Sequence, residues 1–254
     1  MKHIVLYSGG LSSFFTAKIV VEKYGAENVL CLFTDTSTED EDLYRFIKET
    51  ISLLGCDLKV LKDGRDIWGV FTDVKFMGNS RIDPCSRVLK RDIFSKWLKK
   101  NFKPEECILY YGINWDEEHR YIKIKERWQP YQVEAPLCDP PIIGLNEMKD
   151  FLTSVNIDIP KLYTMGFPHN NCGGFCVKTG QAQFKLLLEK MPERYMQHEE
   201  AQEKLFETIG SRRPFIRMQR DGDLKYLSLK EFREHLQSNG QIDLFDYGGC
   251  ACFA

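Results

Sequence analysis

The densest chemical signal in this chain is Ser8-Gly9-Gly10-Leu11-Ser12-Ser13, set between an apolar run and a helical pattern. Paired glycines let a backbone turn tightly and approach a ligand. A helix start offers free N–H groups and a positive dipole end, and hydroxyls donate to oxyanions. Such a nest suits a phosphate or pyrophosphate. It has neither the G-x-G-x-x-G of dinucleotide folds nor the G-K-[ST] of the Walker loop. A plain Ser/Gly turn before a helix has the same composition.

Three further polar runs follow. Thr34-Asp35-Thr36, with Glu39 and Asp40, suits hydrogen bonds to a ribose or base, or equally the cap of a helix. Asn79 to Lys90 sets Arg81, Arg87 and Lys90 around Cys85, cations that favour a thiolate or a bound anion, the plain alternative being a solvated helix start. Gly112 to Arg120 (GINWDEEHR) offers Asp116, Glu117, His119 and Arg120 beyond an apolar run. Trp115, Trp128 and Tyr131 have the rings to stack on a base or to fill a core. Arg212, Arg213, Arg217, Arg220 and Lys225 form a basic cluster, read as a nucleic-acid footprint or a solvated hairpin face.

Nine cysteines are many for a chain without a secretion pattern. In a reducing compartment they point to metal or catalysis rather than disulfides, and the expected location is cytoplasmic. Cys31, Cys56, Cys107 and Cys138 stand singly and read as small core residues. Cys172 and Cys176 (C-x3-C), Cys250 and Cys252 (C-x-C) and Cys85 in a polar loop are less easily placed in a core. Glycines flank both pairs, as tight wrapping round a metal requires. His169 is a further loop donor, for a metal or for ordinary hydrogen bonds.

The elements that must hold these residues alternate. Short apolar runs at His3–Tyr7, Asn28–Thr34, Leu58–Leu61 and Cys107–Tyr111 read as strands. Helical spacing marks Leu11–Tyr24, Asp40–Leu54 and Arg87–Asn101. Alternation of this kind makes right-handed βαβ units and a doubly wound parallel sheet, with ligands beyond the strand C-termini. After about Glu134 the pattern shifts to helices at Asn146–Val155, Gln181–Met191 and Glu199–Ile209. A hairpin follows around Asp221-Gly222, then a helix at Ser228–Gln237. The expected division is a nucleotide-binding domain at 1–170 and a cysteine-containing α+β appendage at 171–254. With 43% hydrophobic and 28% charged residues, the composition excludes a disordered or collagen-like chain, and no apolar run is long enough to span a bilayer. A net charge of −2 argues against a wholly basic, nucleic-acid-coating surface.

Together these residues resemble the PP-loop ATP pyrophosphatases (adenine nucleotide alpha hydrolases), in their phosphoadenosine phosphosulfate reductase-like branch. Ser8 to Ser13 looks like the PP-loop. Phe33 to Thr36 with Tyr44-Arg45-Phe46 resembles the branch's "DTG…ETYRF", Cys85-Ser86-Arg87 with Lys90 its "CCxxRK", and Gly112 to Arg120 its "GxRxxES..R". Pro136-Leu137, Ile159 to Phe167 and Cys172 to Cys176 resemble "PLxxW…IPxxPLYxxGF…GCxxC", so the match covers roughly residues 1–180. Four departures stand out. Ser12 occupies the usual Asp position of the PP-loop, Pro84 replaces a first cysteine, Asn114 stands for Arg, and Cys172 to Cys176 has one extra spacer.

The resemblance implies an enzyme acting at the α-phosphate of ATP with Mg2+. Ser8, Gly9, Gly10, Ser12 and Ser13 would hold phosphate, and Asp35, Thr36 and Gly112 would meet the nucleotide. Cys85, Arg81, Arg87, Lys90 and Arg120 would serve the chemistry, the cations by neutralising charge. It also implies a [4Fe–4S] cluster on Cys85, Cys172, Cys176 and a terminal Cys250 or Cys252. Alternatively, Cys172, Cys176, Cys250 and Cys252 make a tetrahedral Zn2+ site. The favoured expectation is adenylation of an acceptor, a base of tRNA or DNA, followed by sulfur insertion with a donor such as a cysteine desulfurase or thioredoxin. Two rivals remain: a thiol-dependent reductase of adenylyl sulfate or phosphoadenylyl sulfate, and an inactive nucleotide- or nucleic-acid-binding accessory protein, for which Ser12 speaks.

Overall fold

Alternating burial explains the sheet. In β1 (Lys2–Leu6) and just beyond it, Ile4 and Leu6 enter one core while Val5 and Tyr7 enter another. Both faces are therefore covered, as a parallel sheet requires. The computed structural model describes residues 1–79, 82–220 and 223–248. Within them β1, β2 (Val29–Asp35), β3 (Asp57–Lys62), β4 (Cys107–Tyr111) and β5 (Gln132–Glu134) form one parallel sheet in the order β3-β2-β1-β4-β5. The expected doubly wound α/β architecture is the observed one.

Helices α1 (Leu11–Tyr24) and α2 (Glu41–Leu54) cover one face. Asp40 caps α2, its carboxylate accepting from the Asp42 N–H at 3.1 Å. Beyond β3 come α3 (Ile67–Asp73), α4 (Pro84–Ser86) and α5 (Ile93–Asn101), with a π-helical stretch at Arg87–Asp92 joining the last two. Together with α6 (Glu118–Arg127), α5 covers the other face, where Phe94, Leu98 and Ile124 pack on Leu109 and Tyr111. The sequence reading missed α3, α6 and β5. On α6 only Ile124 is buried, so its apolar stripe is too thin to register as helical periodicity.

The remaining helices are α7 (Leu145–Ser154), α8 (Lys161–Thr164), α9 (Gln181–Lys190), α10 (Pro192–Ile209) and α11 (Leu229–Gln237). Strands β6 (Ile216–Arg220) and β7 (Asp223–Leu227) pair antiparallel as expected, and the Asp221-Gly222 turn lies outside the described residues. A second core joins Ile67, Phe71 and Leu89 to Leu162, Phe175, Phe184, Tyr195 and Phe232, so the later helices pack directly on α3 and its neighbours. Leu162 and Phe167 share that core with Phe175, across the expected division at residue 170. Arg212, of the basic cluster, pairs with Glu203 at 2.9 Å.

His198 on α10 ties the two regions together. Its ring stacks on Phe175 at 3.9 Å, and its Nδ1 accepts from the Trp68 indole N–H at 3.0 Å. Burial, helped by nearby Arg194, pushes its pKa down to about 3. The unfolded chain protonates this ring near 6.5, so between those values the unfolded state holds the extra proton. Stability from this residue is full above about pH 6.5 and declines as the pH falls toward 3, by about 2 kcal/mol at pH 5. Urea denaturation at pH 7 and pH 5 checks this. His198→Gln should lose less stability over that interval than the wild type, by about that amount, and an equal loss refutes the assignment.

Candidate active site

Strand order reverses between β1 and β4, the place where open α/β sheets leave a crevice for ligands. The residues found there are the two loops singled out by sequence. Ser8, Gly10, Ser12 and Ser13 line a cavity of about 570 Å³ together with Gly112, Asn114, Trp115, Asp116, Glu117 and Arg120. Lys90 adds a cation. Lys149, Tyr163, His169, Asn170 and Asn171 line it as well.

The loop's shape is held from both ends. Ser13 Oγ donates to the Gly10 carbonyl at 2.8 Å, and Ser8 Oγ donates to Ser13 Oγ at 3.3 Å. From outside, the Asn170 amide donates to the Gly9 carbonyl at 2.9 Å, and the Leu11 N–H donates to the Tyr163 hydroxyl at 3.4 Å. Gly112 is where β4 meets the loop. A Cβ there would stand 2.7 Å from Ser13 N and 2.8 Å from Ser12 C, both backbone atoms. The amide oxygens of Asn114 and Asn170 are buried without a partner among the described residues, which leaves two acceptors at the cavity. Trp115 is 59% exposed at this site, whereas Trp128 and Tyr131 are core.

A second, much smaller cavity of about 20 Å³ is lined by Cys85, Cys172 and Cys176 with Thr36, Asp83, Ser86 and Lys90. Three of the predicted thiols therefore line one small cavity, and Lys90, 4% exposed, lines both cavities. The Cys172 N–H donates to the Glu39 carboxylate, whose other oxygen accepts from Thr36 Oγ1 at 2.9 Å. Cys172 and Gly173 both lie in the left-handed region, at φ 51° and 58°. Arg194 holds this turn to α2, donating to the Gly173 carbonyl at 2.9 Å and to Asp40 at 3.0 Å. Among the described residues no group of three or more His, Cys, Asp or Glu is arranged to hold a metal ion. Cys250, Cys252 and Arg81 lie outside those residues.

The other singled-out residues lie apart. Asp35 faces a different groove and is engaged within the protein, accepting from the Ser37 N–H and the Tyr44 hydroxyl, both at 2.8 Å, and from Lys62 at 3.3 Å. Arg87 is exposed on a groove of its own. The single cysteines behave as expected of core residues: Cys31, Cys56 and Cys107 are buried and Cys138 half-buried. Burial pushes the Cys107 thiol up to about 11, far from nucleophilic at neutral pH. Sequence reasoning missed Asn114, Lys149, Asn170 and Asn171 as site residues. The last two stand immediately before Cys172, in a run of amides and an imidazole that carried the usable signal.

A sheet crevice at the β1/β4 reversal, walled by a Ser/Gly loop at a helix start, defines a PP-loop nucleotide-binding domain. The family model for the phosphoadenosine phosphosulfate reductase domain matches residues 2–213, and the chain belongs to that family, as an enzyme of the PP-loop kind. Two solved structures are similar in fold. One is phosphoadenylyl-sulfate reductase from Candida auris, in a phosphate complex, at 12% identity, covering 66% of this chain and 79% of that one with a TM-score of 0.45. The other is a "predicted subunit of tRNA methyltransferase" from Methanocaldococcus jannaschii, at 21% identity, covering 60% and 76% with a TM-score of 0.39. No curated protein matches the chain in sequence. No helix of the described residues is long and apolar enough to cross a membrane.

Proposed function

We propose that the large cavity binds ATP with Mg2+ and that the enzyme adenylates an acceptor, a nucleic-acid base, for sulfur insertion. An acceptor oxygen attacks the α-phosphorus, the bond from that phosphorus to the bridging oxygen breaks, and pyrophosphate leaves. The terminal sulfur of a persulfide on a donor such as a cysteine desulfurase then displaces AMP. A second thiol, such as that of thioredoxin, cleaves the resulting S–S bond, so that the sulfur stays on the base and the two donor thiols leave as a disulfide. Ser8 to Ser13 hold the departing pyrophosphate, and Lys90 and Arg120 offset the charge that grows there, work done mainly by positioning and electrostatics. The observation that carries this reading is the sharing of Lys90 between the nucleotide cavity and the thiol cavity.

Cys85, Cys172 and Cys176 line one small cavity and are soft sulfur donors of the kind zinc or an iron–sulfur cluster takes. They are not arranged to hold a metal ion as they stand, and the expected fourth thiol, Cys250 or Cys252, lies outside the described residues. A bound cluster supplies redox or sulfur-transfer chemistry there, and zinc a structural clamp. A second reading, reduction of adenylyl sulfate or phosphoadenylyl sulfate, is favoured by the activity for which the family is described.

Anaerobic purification with metal analysis and a visible spectrum comes first. The expected result is iron or zinc near one site per chain, lost in Cys172→Ala/Cys176→Ala; metal-free native protein overturns the thiolate centre. Product assays then separate the chemistries. Nucleic-acid-dependent pyrophosphate release from ATP supports adenylation, and sulfite release from the sulfonucleotide replaces it with the reductase. Tight ATP binding without turnover, unchanged in Ser12→Asp, makes the protein an accessory subunit.

A further inference from the structure

The π-helical stretch with α5, and the end of α6, wall a second groove of about 400 Å³. These are the same segments that present Lys90 and Arg120 to the nucleotide cavity. Into the groove they present Arg87, Arg91, Lys99 and Arg127, and Asp92 is the one carboxylate among its described lining residues. Arg91 pairs with Asp83 at 3.5 Å, whereas Arg87, Lys99 and Arg127 enter no ion pair among the described residues. Burial holds Arg127 below its ordinary pKa, the neighbouring Arg91 guanidinium adding to this while Tyr111 and Asp83 act the other way.

Like charges that line one groove repel, and an anion laid among them lowers that cost. Its length is the informative part. From Arg87 to Lys99 the helical path runs roughly 15–18 Å, at about 1.5 Å per residue or somewhat less in the π stretch. One phosphate is far too small for that span, which equals about four or five nucleotide steps at ~3.4 Å per strand. Three of the four cations are arginines, whose planar fork matches phosphate oxygens better than lysine does.

We propose that this groove binds the phosphodiester backbone of a polynucleotide and so seats the nucleic-acid acceptor beside the nucleotide cavity. It rests on the adenylation reading only for the acceptor's role. The charge is local, which is why a chain of net charge −2 gave no global sign of it.

The test is fluorescence anisotropy of the full-length protein with labelled single-stranded RNA and DNA of about 20 nucleotides, from 50 to 200 mM salt. Lys99→Gln/Arg127→Gln should weaken binding about tenfold or more and flatten the log K against log salt slope by about 1.4, two phosphate contacts at ~0.7 each. Lys99→Arg/Arg127→Lys keeps both charges and should keep the slope, with affinity nearer wild type than in the Gln variant, and melting curves confirm that both variants fold. An unchanged slope and affinity in the Gln variant, or no binding of either oligonucleotide, overturns the proposal. Equal binding of poly-glutamate also overturns it, in favour of an acidic protein partner. The two readings fail distinguishably. Groove-dependent binding without stimulated pyrophosphate release removes adenylation and leaves the groove, and nucleic-acid-dependent pyrophosphate release that is unchanged in the Gln variant removes the groove and leaves adenylation.

Discussion

Gly112→Ala is expected to weaken ATP binding by about 100-fold or more while the protein stays folded. The added Cβ meets Ser13 N, Ser13 Cα and Ser12 C at 2.7–2.8 Å, and backbone atoms at a helix start have no rotamer by which to step aside. The neighbouring residues are fixed as well, because Leu6 of β1 is in register with Tyr111 of β4. The strain must therefore open the gap between the β4 end and the phosphate loop, shifting the N–H groups that would face a phosphate. Overpacking of this kind costs about 1–3 kcal/mol of stability, whereas misplacing a binding cradle by ~1 Å costs about two orders of magnitude in function. Gly144→Ala is the contrast. It lines the same cavity, yet its Cβ would touch only the Glu147 carboxylate, at 3.4 Å, so near wild-type affinity is expected. Calorimetric titration with ATP and thermal melting decide the matter. Gly112→Ala binding ATP within about threefold of wild type would falsify the cradle assignment.

How far the sequence carried the structure depends on the kind of signal each element leaves. The β1–loop–α1 unit was legible because apolar alternation, paired glycines and a helical stripe all point the same way. Cys85, Cys172 and Cys176 were singled out from chain positions some 90 residues apart, and their convergence on one small cavity needed the fold itself. What stayed hidden has physical causes. On α6 the stripe is one residue wide because the helix covers a sheet edge and faces solvent elsewhere. The groove of Arg87, Lys99 and Arg127 draws on two helical segments, and no window of sequence brings those cations together. Asp35 shows another limit. Its acidic-hydroxyl setting suits a ribose, and in the fold its carboxylate also accepts from Ser37, Tyr44 and Lys62, partners that cannot be counted from a string.

Lys90→Gln is expected to slow pyrophosphate release by about 10²–10³-fold, with ATP affinity falling no more than about tenfold. Lys90 is 4% exposed, and an ammonium is kept at that depth only where charge or hydrogen bonds compensate it, which fixes its position in the wall. Lys90 lies in the π-helical stretch, a widened turn of the type that clusters at functional sites. From there it lines the cavity with the Ser/Gly loop and the cavity with three cysteines. A cation fixed at that wall acts more strongly on charge that develops during the reaction than on charge present from the start, so the loss belongs in kcat. Lys90→Arg should not restore the rate, because the larger planar guanidinium does not fit the space of a compact ammonium in a packed wall. Single-turnover pyrophosphate release, measured alongside metal content, separates three outcomes. A fall in kcat with metal retained places Lys90 at the reacting phosphates. A fall in metal content with ATP binding intact places it with the thiolates instead. A lower melting temperature with kcat unchanged in the folded fraction reduces it to a prop between the two cavities, and the adenylation reading then loses the observation on which it stands.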